Sequence, residues 1–319
     1  MTSRPPLMVS GDDVRGLISL DDALASQRAA FIALERGEAQ LAPRSLLSGD
    51  DDSVVFAYLA RAGRGMPAVA KVGSVNPLNS LQGLPGIHAV VLVLDPDTGE
   101  LRAIVDGESV TLLRTAAATV MAVEALVAEP PATAGIVGSG PLAVEIVRFL
   151  HHVAPDCRVR VHARRAERAT ELARVADDEG LPLDVVGSAH DAVEGASVAI
   201  CATNSVTPVV DSAWLSAARL LVSLGSFAPG RCEIGAEVLS LASRVVVDDV
   251  AASSGQCGPV VDALSAGSLT VGDLVPLGRL LTELTPAPPS GLTAFCSVGL
   301  GVQDAALAAL VVRGRGEAS

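Results

Sequence analysis

The sequence predicts an α/β protein with two domains, one of them built on a doubly wound parallel sheet. Its 319 residues leave room for two hydrophobic cores. Hydrophobic residues make up 50% of the chain and aromatic residues only 2%, so the cores must consist of Val, Leu and Ala, as in buried parallel strands. From residue 133 onward, strand-like and helix-like segments alternate. Such alternation is typical of parallel strands joined by crossover helices.

The first region has a different pattern. A helix capped by Ser19 or Asp21 is followed by short apolar segments separated by turns, including the hairpin turn Asp97-Thr98-Gly99. The predicted strands cover residues 53–61, 67–75, 87–95 and 100–107. Because their connections are short, we expect an antiparallel or mixed sheet. An alanine-rich helix is then predicted over Ser109–Ala128, ended by Glu129-Pro130-Pro131.

The second region carries the alternating pattern. The predicted strands cover 133–138, 157–163, 183–187, 197–203, 219–225 and 243–249, and the clearest helices between them cover 141–152 and 165–178. The tail, residues 292–312, is predicted to be a strand followed by a helix that begins near Gln303.

Charge and composition exclude several classes of protein. The net charge of −13 argues against a nucleic-acid partner, which would need a basic face. No uninterrupted apolar run is long enough for a membrane span, and no secretory signal pattern is visible at the N-terminus. The five cysteines are scattered without paired spacing, which predicts neither disulfides nor a metal site. We therefore expect a cytoplasmic protein.

The strongest local motif is the glycine-rich segment Gly138-Ser139-Gly140-Pro141-Leu142-Ala143. An apolar strand precedes it and a helix follows. The first glycine permits a tight turn, the second lets the backbone approach a pyrophosphate, and the small residue at 143 lets helix and strand pack closely. The motif predicts a Rossmann dinucleotide site, with a purely structural glycine turn as the alternative.

The end of the next strand bears on which dinucleotide binds. It reads His162-Ala163-Arg164-Arg165, where an NAD-selective fold would usually present Asp or Glu to the ribose hydroxyls. Two adjacent guanidinium groups suit a 2′-phosphate, so NADP is favoured and NAD remains possible. The alternative is a solvated arginine run at the start of the following helix.

Three cations in the first region form a candidate substrate site. Lys71 is the only lysine in the chain and lies within an apolar strand, while Arg44 and Arg114 lie in other segments. Buried cations need anionic partners, and three converging cations would bind a small carboxylate. Taken singly, each is better explained as part of a structural ion pair.

The segments GLPGIHAVVLVLDPDTGELRAIVDGESVTLLRTAAAT, GIVGSG and FCSVGLGVQDAALA resemble the ornithine cyclodeaminase/mu-crystallin family, from about Pro43 to the C-terminus. The resemblance implies a Rossmann domain, residues 119–301, inserted in a discontinuous α+β domain for substrate binding and dimerisation, residues 1–118 with 302–319. It also implies a homodimer in which Arg44, Lys71 and Arg114 bind the substrate carboxylate. Four residues at strand ends or in the tail are expected near the cofactor: Thr203, Asn204, Ser297 and Gly299.

One departure from the family separates two reactions. True cyclodeaminases carry an aspartate two residues before a Pro-Gly, and this chain has Phe227 there, before Pro229-Gly230. A phenyl ring cannot pair with an ammonium group, so the pattern is closer to family members that reduce cyclic imines. We therefore predict NADPH-dependent reduction of Δ1-pyrroline-2-carboxylate or Δ1-piperideine-2-carboxylate, with Lys71 or a bound water supplying the proton.

Three alternatives remain open at this stage: a cyclodeaminase, an open-chain amino-acid dehydrogenase or opine-type synthase, and a non-catalytic NADP-dependent ligand-binding protein. His88, on a predicted strand beside the candidate site, is interpreted as a core histidine more readily than as a catalytic one.

Overall fold

The structure is a computed structural model that describes residues 5–49, 53–76, 78–79, 84–283 and 290–317. The chain divides into two compact units. The first unit contains Met1–Ala118 and Leu300–Ser319, and the second contains Thr119–Gly299.

Within its described residues, the first unit contains seven strands and three α-helices, together with the start of a fourth. The strands are β1 (Leu7–Val9), β2 (Gln40–Leu41), β3 (Ser45–Ser48), β4 (Val54–Arg61), β5 (Ala68–Val75), β6 (Ile87–Leu94) and β7 (Leu101–Asp106). The helices are α1 (Gly11–Leu17), α2 (Leu20–Glu35), the first part of α3 (Gly107–Leu126) and, at the end of the chain, α11 (Gly301–Glu317).

The strands of the first unit form one mixed sheet in the order β1-β7-β6-β5-β4-β2, with β3 also paired to β4. The four predicted strands are confirmed as β4 to β7, and β1 joins the sheet parallel to β7. One face of the sheet is buried beneath α11, which packs on β4, β5 and α2. Ser19 caps α2 by accepting a hydrogen bond from the Asp22 backbone N–H, as predicted.

Helix α3 carries the chain from the first unit into the second. It extends two residues further toward the N-terminus than predicted and ends at Leu126 rather than Ala128. Among the described helices, it is the one that is long and apolar enough to cross a membrane by length and composition. Because 72% of its most apolar stretch is buried inside the protein, it has the character of a core helix.

The second unit contains eight strands and seven helices within the described residues. The strands are β8 (Thr133–Val137), β9 (Arg158–His162), β10 (Asp184–Val186), β11 (Val198–Cys201), β12 (Leu220–Ser223), β13 (Arg244–Val247), β14 (Leu274–Pro276) and β15 (Thr293–Cys296). The helices are α4 (Pro141–Val153), α5 (Ala166–Glu179), α6 (Ala189–Val193), α7 (Ala236–Leu241), α8 (Val250–Gln256), α9 (Gly258–Ser265) and α10 (Leu277–Thr282).

The sheet of the second unit is parallel throughout, in the order β10-β9-β8-β11-β12-β15-β13-β14. The chain therefore runs outward from β8 to β10 and then returns to β11 on the other side of β8. This reversal makes a topological switch point between β8 and β11, where open α/β sheets bind ligands beyond the carboxyl ends of their strands. The predicted α/β class with a doubly wound parallel sheet is confirmed.

Candidate active site

The glycine turn lies at the carboxyl end of β8, at the switch point. Gly138 has a φ of 133°, and a Cβ atom there would lie 2.3 Å from the carbonyl oxygen of Ala202. A side chain is therefore excluded both by the backbone conformation and by the neighbouring loop. Gly140 differs: its φ of −78° suits any residue, and a Cβ atom would meet nothing within 4 Å. The space beside Gly140 is open, as a site for a ligand requires.

The start of α4 fits the pyrophosphate of a dinucleotide. Gly140 is the N-cap residue and Pro141 follows at the first turn, and no side chain caps the helix. The free backbone N–H groups and the positive end of the helix dipole favour an anion. Ala143 is buried, in agreement with its predicted role in helix–strand packing. The contacts expected from Ser139 and Leu142 stay predictions.

The end of β9 presents basic groups to solvent. His162 is the last residue of the strand, and Arg164 and Arg165 follow it with exposed side chains. In the described part of the chain neither guanidinium forms an ion pair, whereas Arg168 pairs with Glu171. Arg164 and Arg165 are thus the two arginines of this run that are available to an anion.

A buried glutamate organises the loops after β11 and β12. The Glu233 carboxylate accepts hydrogen bonds from the Thr203 backbone N–H at 2.5 Å and from its hydroxyl at 2.8 Å. It also accepts from the Ser223 hydroxyl at 2.8 Å and from the Gly225 backbone N–H at 2.6 Å. Burial raises the pKa of Glu233, although the hydrogen bonds from Thr203 and Gly225 act in the opposite direction. The sequence did not indicate this role.

A buried aspartate organises the segment after β15 in the same way. Asp248 accepts hydrogen bonds from the Ser297 hydroxyl at 2.9 Å and from the backbone N–H groups of Val298 and Gly299, both at 2.8 Å. Gly299 has a φ of 76°. Ser297 and Gly299 are therefore held at the carboxyl edge of the sheet, where cofactor contacts were predicted. Their contact with a cofactor stays a prediction.

Two of the three predicted cations of the first unit, Lys71 and Arg114, lie beside one buried carboxylate, Asp304, and the third, Arg44, lies over the ring of Tyr58. Lys71 lies on the buried face of β5, and its Nζ donates to Asp304 Oδ1 at 2.7 Å and to the Thr111 hydroxyl. The Arg114 Nε lies 3.7 Å from the same oxygen. Tyr58 donates its hydroxyl to Asp304 Oδ2 at 2.7 Å, and the Arg44 guanidinium lies 5.5 Å from the centre of the Tyr58 ring.

Burial controls the protonation of this cluster. Lys71 is 3% exposed and Asp304 is fully buried. Burial lowers the pKa of Lys71, and Arg114 and Arg44 add to that effect, while Asp304 opposes it. Burial alone would raise the pKa of Asp304, but Lys71 and Arg114 outweigh it and the net shift is downward. Lys71 and Arg114 beside the single carboxylate of Asp304 leave an excess of one positive charge.

Asp304, Tyr58 and Thr111 were missed from the sequence, although buried cations required an anion somewhere. The interpretation of His88 as a core residue is wrong, because it lies on the exposed face of β6.

Phe227 is half-buried and packs under the Arg231 guanidinium, 4.6 Å from the ring centre. Asn204 accepts a hydrogen bond from the same arginine through its side-chain oxygen at 3.3 Å.

The family of the chain follows from comparison with known proteins. The family model "Ornithine cyclodeaminase/mu-crystallin family" matches residues 4–317. The chain belongs to this family. Among curated relatives, the Δ1-pyrroline-2-carboxylate/Δ1-piperideine-2-carboxylate reductase of Azospirillum brasilense is 31% identical over 82% of this chain and 83% of its own.

Two solved structures share the fold of this chain. The Thermococcus litoralis Δ1-pyrroline-2-carboxylate reductase, in complex with NADH and L-proline, has a TM-score of 0.90 at 26% identity and covers 98% of both chains. An archaeal alanine dehydrogenase dimer with bound NAD has a TM-score of 0.88 at 27% identity, over 98% of this chain and 97% of the other. These relatives confirm the predicted enzyme class, an NAD(P)-dependent oxidoreductase that acts on carbon–nitrogen bonds.

Proposed function

We propose that this protein uses NAD(P)H to reduce a small cyclic imine carboxylate, Δ1-pyrroline-2-carboxylate or Δ1-piperideine-2-carboxylate, to the cyclic amino acid. The observation that carries the proposal is the pair of cations Lys71 and Arg114 at Asp304, with Arg44 over the ring of Tyr58, which donates its hydroxyl to the same carboxylate. A buried excess of one positive charge, from Lys71 and Arg114 beside Asp304, favours an anion in a protein whose net charge is −13.

The cluster retains hydrogen-bond donors for such an anion. Lys71 has three N–H groups, and two of them are used by Asp304 and Thr111. The guanidinium of Arg114 has five N–H groups, and within the described residues its one hydrogen bond goes to the side-chain oxygen of Gln303 at 3.2 Å. A carboxylate can therefore take two parallel hydrogen bonds from Arg114, and the charge of Lys71 adds to the attraction.

The same cluster can supply the proton that the reduction needs. A bound nicotinamide supplies the hydride, which goes to the imine carbon. The imine nitrogen must gain one proton, and Lys71 holds one N–H that neither Asp304 nor Thr111 uses. Burial lowers the pKa of Lys71, which makes its ammonium a better acid than an exposed lysine. Arg114 and Arg44 fix the carboxylate and so limit the orientations of the ring.

The relatives support the choice of substrate. The Azospirillum relative is named for both ring sizes, and the Thermococcus structure contains L-proline, the product expected from the five-membered ring. Phe227 supports reduction over cyclodeamination, because an aromatic ring packed under Arg231 offers no group to bind a departing ammonium.

Steady-state oxidation of NADPH and NADH in the presence of each imine tests the proposal. We expect turnover with at least one of the two rings and none with ornithine. Absence of turnover with both imines, at cofactor concentrations shown to saturate the protein, would contradict the proposal. Release of ammonia from ornithine would instead establish the cyclodeaminase.

We further propose that NADPH is the preferred reductant. Arg164 and Arg165 are exposed, lie directly after β9 and have no carboxylate partner among the described residues, which leaves them available to a 2′-phosphate. Both similar structures hold the non-phosphorylated cofactor, so the preference has to be measured. A kcat/KM ratio that favours NADH would overturn this part of the proposal.

An open-chain amino-acid dehydrogenase is the second candidate. The cation cluster would bind the carboxylate of a cyclic or an open-chain substrate equally well. The archaeal structure of similar fold is an alanine dehydrogenase. Reductive amination of pyruvate with ammonia and NAD(P)H distinguishes the two. A higher kcat/KM for pyruvate with ammonia than for either cyclic imine would favour the dehydrogenase.

We also propose that two copies of the chain pair through the outer face of the first unit's sheet. The face opposite α11 carries apolar residues on adjacent strands, among them Met8, Leu47, Val55, Leu59, Val72 and Val90, all exposed. A contiguous apolar face of this kind is typical of a protein–protein interface. The archaeal relative of similar fold is a dimer.

Replacing one residue of this face tests the dimer. Leu59 on β4 is 57% exposed, and Leu59→Asp would place a charge on the apolar face. Leu241 at the end of α7 is 66% exposed, so Leu241→Asp is a matched control in the second unit. Sedimentation velocity should show a dimer for the native protein and the control and a monomer for Leu59→Asp. A Leu59→Asp variant that stays dimeric would exclude this face.

A further inference from the structure

Glu233 lies between the two loops that border the nicotinamide side of the switch point. In a Rossmann sheet each half binds one nucleotide, and the dinucleotide crosses the crevice where the strand order reverses. The glycine turn after β8 and the arginines after β9 are in the half that would bind the adenosine. The loops after β11 and β12 lie in the other half.

The four donors around Glu233 come from both of these loops. One carboxylate oxygen accepts from the backbone N–H and the hydroxyl of Thr203, after β11. The other accepts from the Ser223 hydroxyl and the Gly225 backbone N–H, at the end of β12. The side chain is fully buried, so water does not replace these bonds. A single carboxylate therefore joins the ends of two adjacent parallel strands.

The loops have no room to adjust around this carboxylate. A Cβ atom on Gly225 would lie 1.8 Å from the Thr203 carbonyl oxygen and 2.7 Å from the nearer Glu233 carboxylate oxygen. The Ser226 hydroxyl also accepts a hydrogen bond from the Glu233 backbone N–H at 3.0 Å. On the other side, the Gly138 turn lies against Ala202, immediately before Thr203. The positions of the loops are thus coupled through backbone contacts and one side chain.

We infer that Glu233 is a positioning residue of the cofactor site, which holds the ends of β11 and β12 at the spacing that the nicotinamide half of the dinucleotide requires. This inference rests on the proposed dinucleotide binding. Glu233 acts through Thr203 and Gly225 and need not touch the cofactor. A glutamine in its place offers one acceptor oxygen and one amide group that itself donates. The Ser223 hydroxyl can rotate to accept from that amide, but the backbone N–H of Gly225 cannot.

Calorimetric titration with a whole and a truncated cofactor tests the inference without turnover. ADP-ribose contains the adenosine half and the pyrophosphate, and NADH adds the nicotinamide. In Glu233→Gln we expect the Kd for NADH to rise about tenfold or more and that for ADP-ribose by less than about twofold, since one buried donor loses its acceptor on the nicotinamide side alone. Glu237→Gln, four residues later and exposed, is the matched control and should change neither.

Two results would overturn the inference: an unchanged Kd for NADH, or an equal loss for NADH and ADP-ribose. If Glu233→Gln does not fold, the same titrations are made with Ser223→Ala. This variant removes one hydrogen-bond donor to Glu233 and keeps the carboxylate. We expect the Kd of Ser223→Ala for NADH to rise about threefold and its Kd for ADP-ribose to stay unchanged. A Ser223→Ala variant with native affinities, or with equal losses, overturns the inference.

The titration also separates this inference from the proposed reaction. Selective loss of NADH affinity in a protein that reduces neither imine would support the role of Glu233 and contradict the proposed substrate. Failure of the native protein to bind NADH and NADPH would overturn the cofactor proposal and the role of Glu233 together.

Discussion

The candidate sites of the two units are built from different parts of the chain. In the second unit, the proposed cofactor site consists largely of backbone: two glycines, an uncapped helix start and loops held by buried carboxylates. In the first unit, the proposed substrate site consists of charged side chains from four separate segments, Arg44, Lys71, Arg114 and Asp304. Backbone sites tolerate changes of neighbouring side chains, whereas a side-chain cluster depends on each of its members.

The largest effect is expected at Lys71. Lys71→Met keeps most of the side-chain volume but removes the positive charge and the proposed proton donor. We expect kcat/KM for the imine to fall by about a thousandfold or more, since orientation and proton transfer are both lost. The Kd for NADPH should stay within about twofold, because the predicted cofactor contacts are in the second unit.

Arg64→Met is the control for Lys71→Met. Arg64 is an exposed cation in the loop between β4 and β5, and its replacement should leave kcat/KM unchanged. If Lys71→Met retained native kcat/KM, the cation cluster would be structural rather than functional. If Lys71→Met instead bound NADPH more weakly, the assignment of the cofactor contacts to the second unit alone would be contradicted.

The next largest effect is on stability, at Asp304. Asp304→Asn leaves Lys71 and Arg114 without their shared anion, and we expect the free energy of unfolding to fall by about 3 kcal/mol. Urea denaturation measures the change. Asp12→Asn, an exposed aspartate in the first turn of α1, is the matched control and should change stability by less than about 0.5 kcal/mol.

The stability contribution of Asp304 has a definite pH dependence. Lys71 and Arg114 hold the pKa of Asp304 below its ordinary value despite burial. A carboxyl group whose pKa is lower in the folded state stabilises the fold above the unfolded pKa, about 4, and loses this contribution as the pH falls through the folded value. The difference between the native protein and Asp304→Asn should therefore narrow below about pH 4. A difference that stays constant would show that Asp304 does not stabilise the fold as an anion.

The contrast between the units also explains what the sequence could predict. The glycine turn and the strands of the second unit were predictable because their signals lie within about twenty consecutive residues, as in the usual fingerprint. Asp304 was not, because its partner Lys71 is 233 residues away and nothing in the local pattern of the last helix marks it. The need for an anion beside Lys71 was predictable, but not its position.

Two other residues show the same limit. Glu233 lies in a loop, and its role appears only when the ends of β11 and β12 are known to be neighbours. His88 was assigned to the core because it lies in an apolar strand, yet alternation along a strand does not reveal which face is covered. In β6 the covered face carries Val91 and Val93, and His88 is on the other.

A third prediction tests whether the cofactor site depends on backbone access. Gly140→Ala should fold normally, because φ is −78° and no atom lies within 4 Å of the new methyl group. We expect the free energy of unfolding to change by less than about 1 kcal/mol. The methyl group would occupy the space through which a pyrophosphate approaches, so the Kd for NADPH should rise about tenfold or more.

Gly138→Ala provides the contrast. Its φ of 133° and the carbonyl oxygen 2.3 Å from the new methyl group make this change destabilising as well. Thermal unfolding together with titration separates the two variants. Native NADPH affinity in a stable Gly140→Ala protein would show that the open space beside Gly140 is not the pyrophosphate site.

The smallest effect on binding is expected at the exposed arginine side chains after β9. Arg164→Ala removes one of the two exposed guanidinium groups after β9, and we expect the Kd for NADPH to rise about five- to tenfold through loss of one charge-assisted hydrogen bond. The Kd for NADH should not change, because NADH has no 2′-phosphate. Arg168→Ala is the control, since Arg168 is occupied by Glu171. An equal rise in Kd for both cofactors in Arg164→Ala would mean that Arg164 contacts a group that NADPH and NADH share. The preference for one cofactor would then depend on Arg165 or on no arginine of this run.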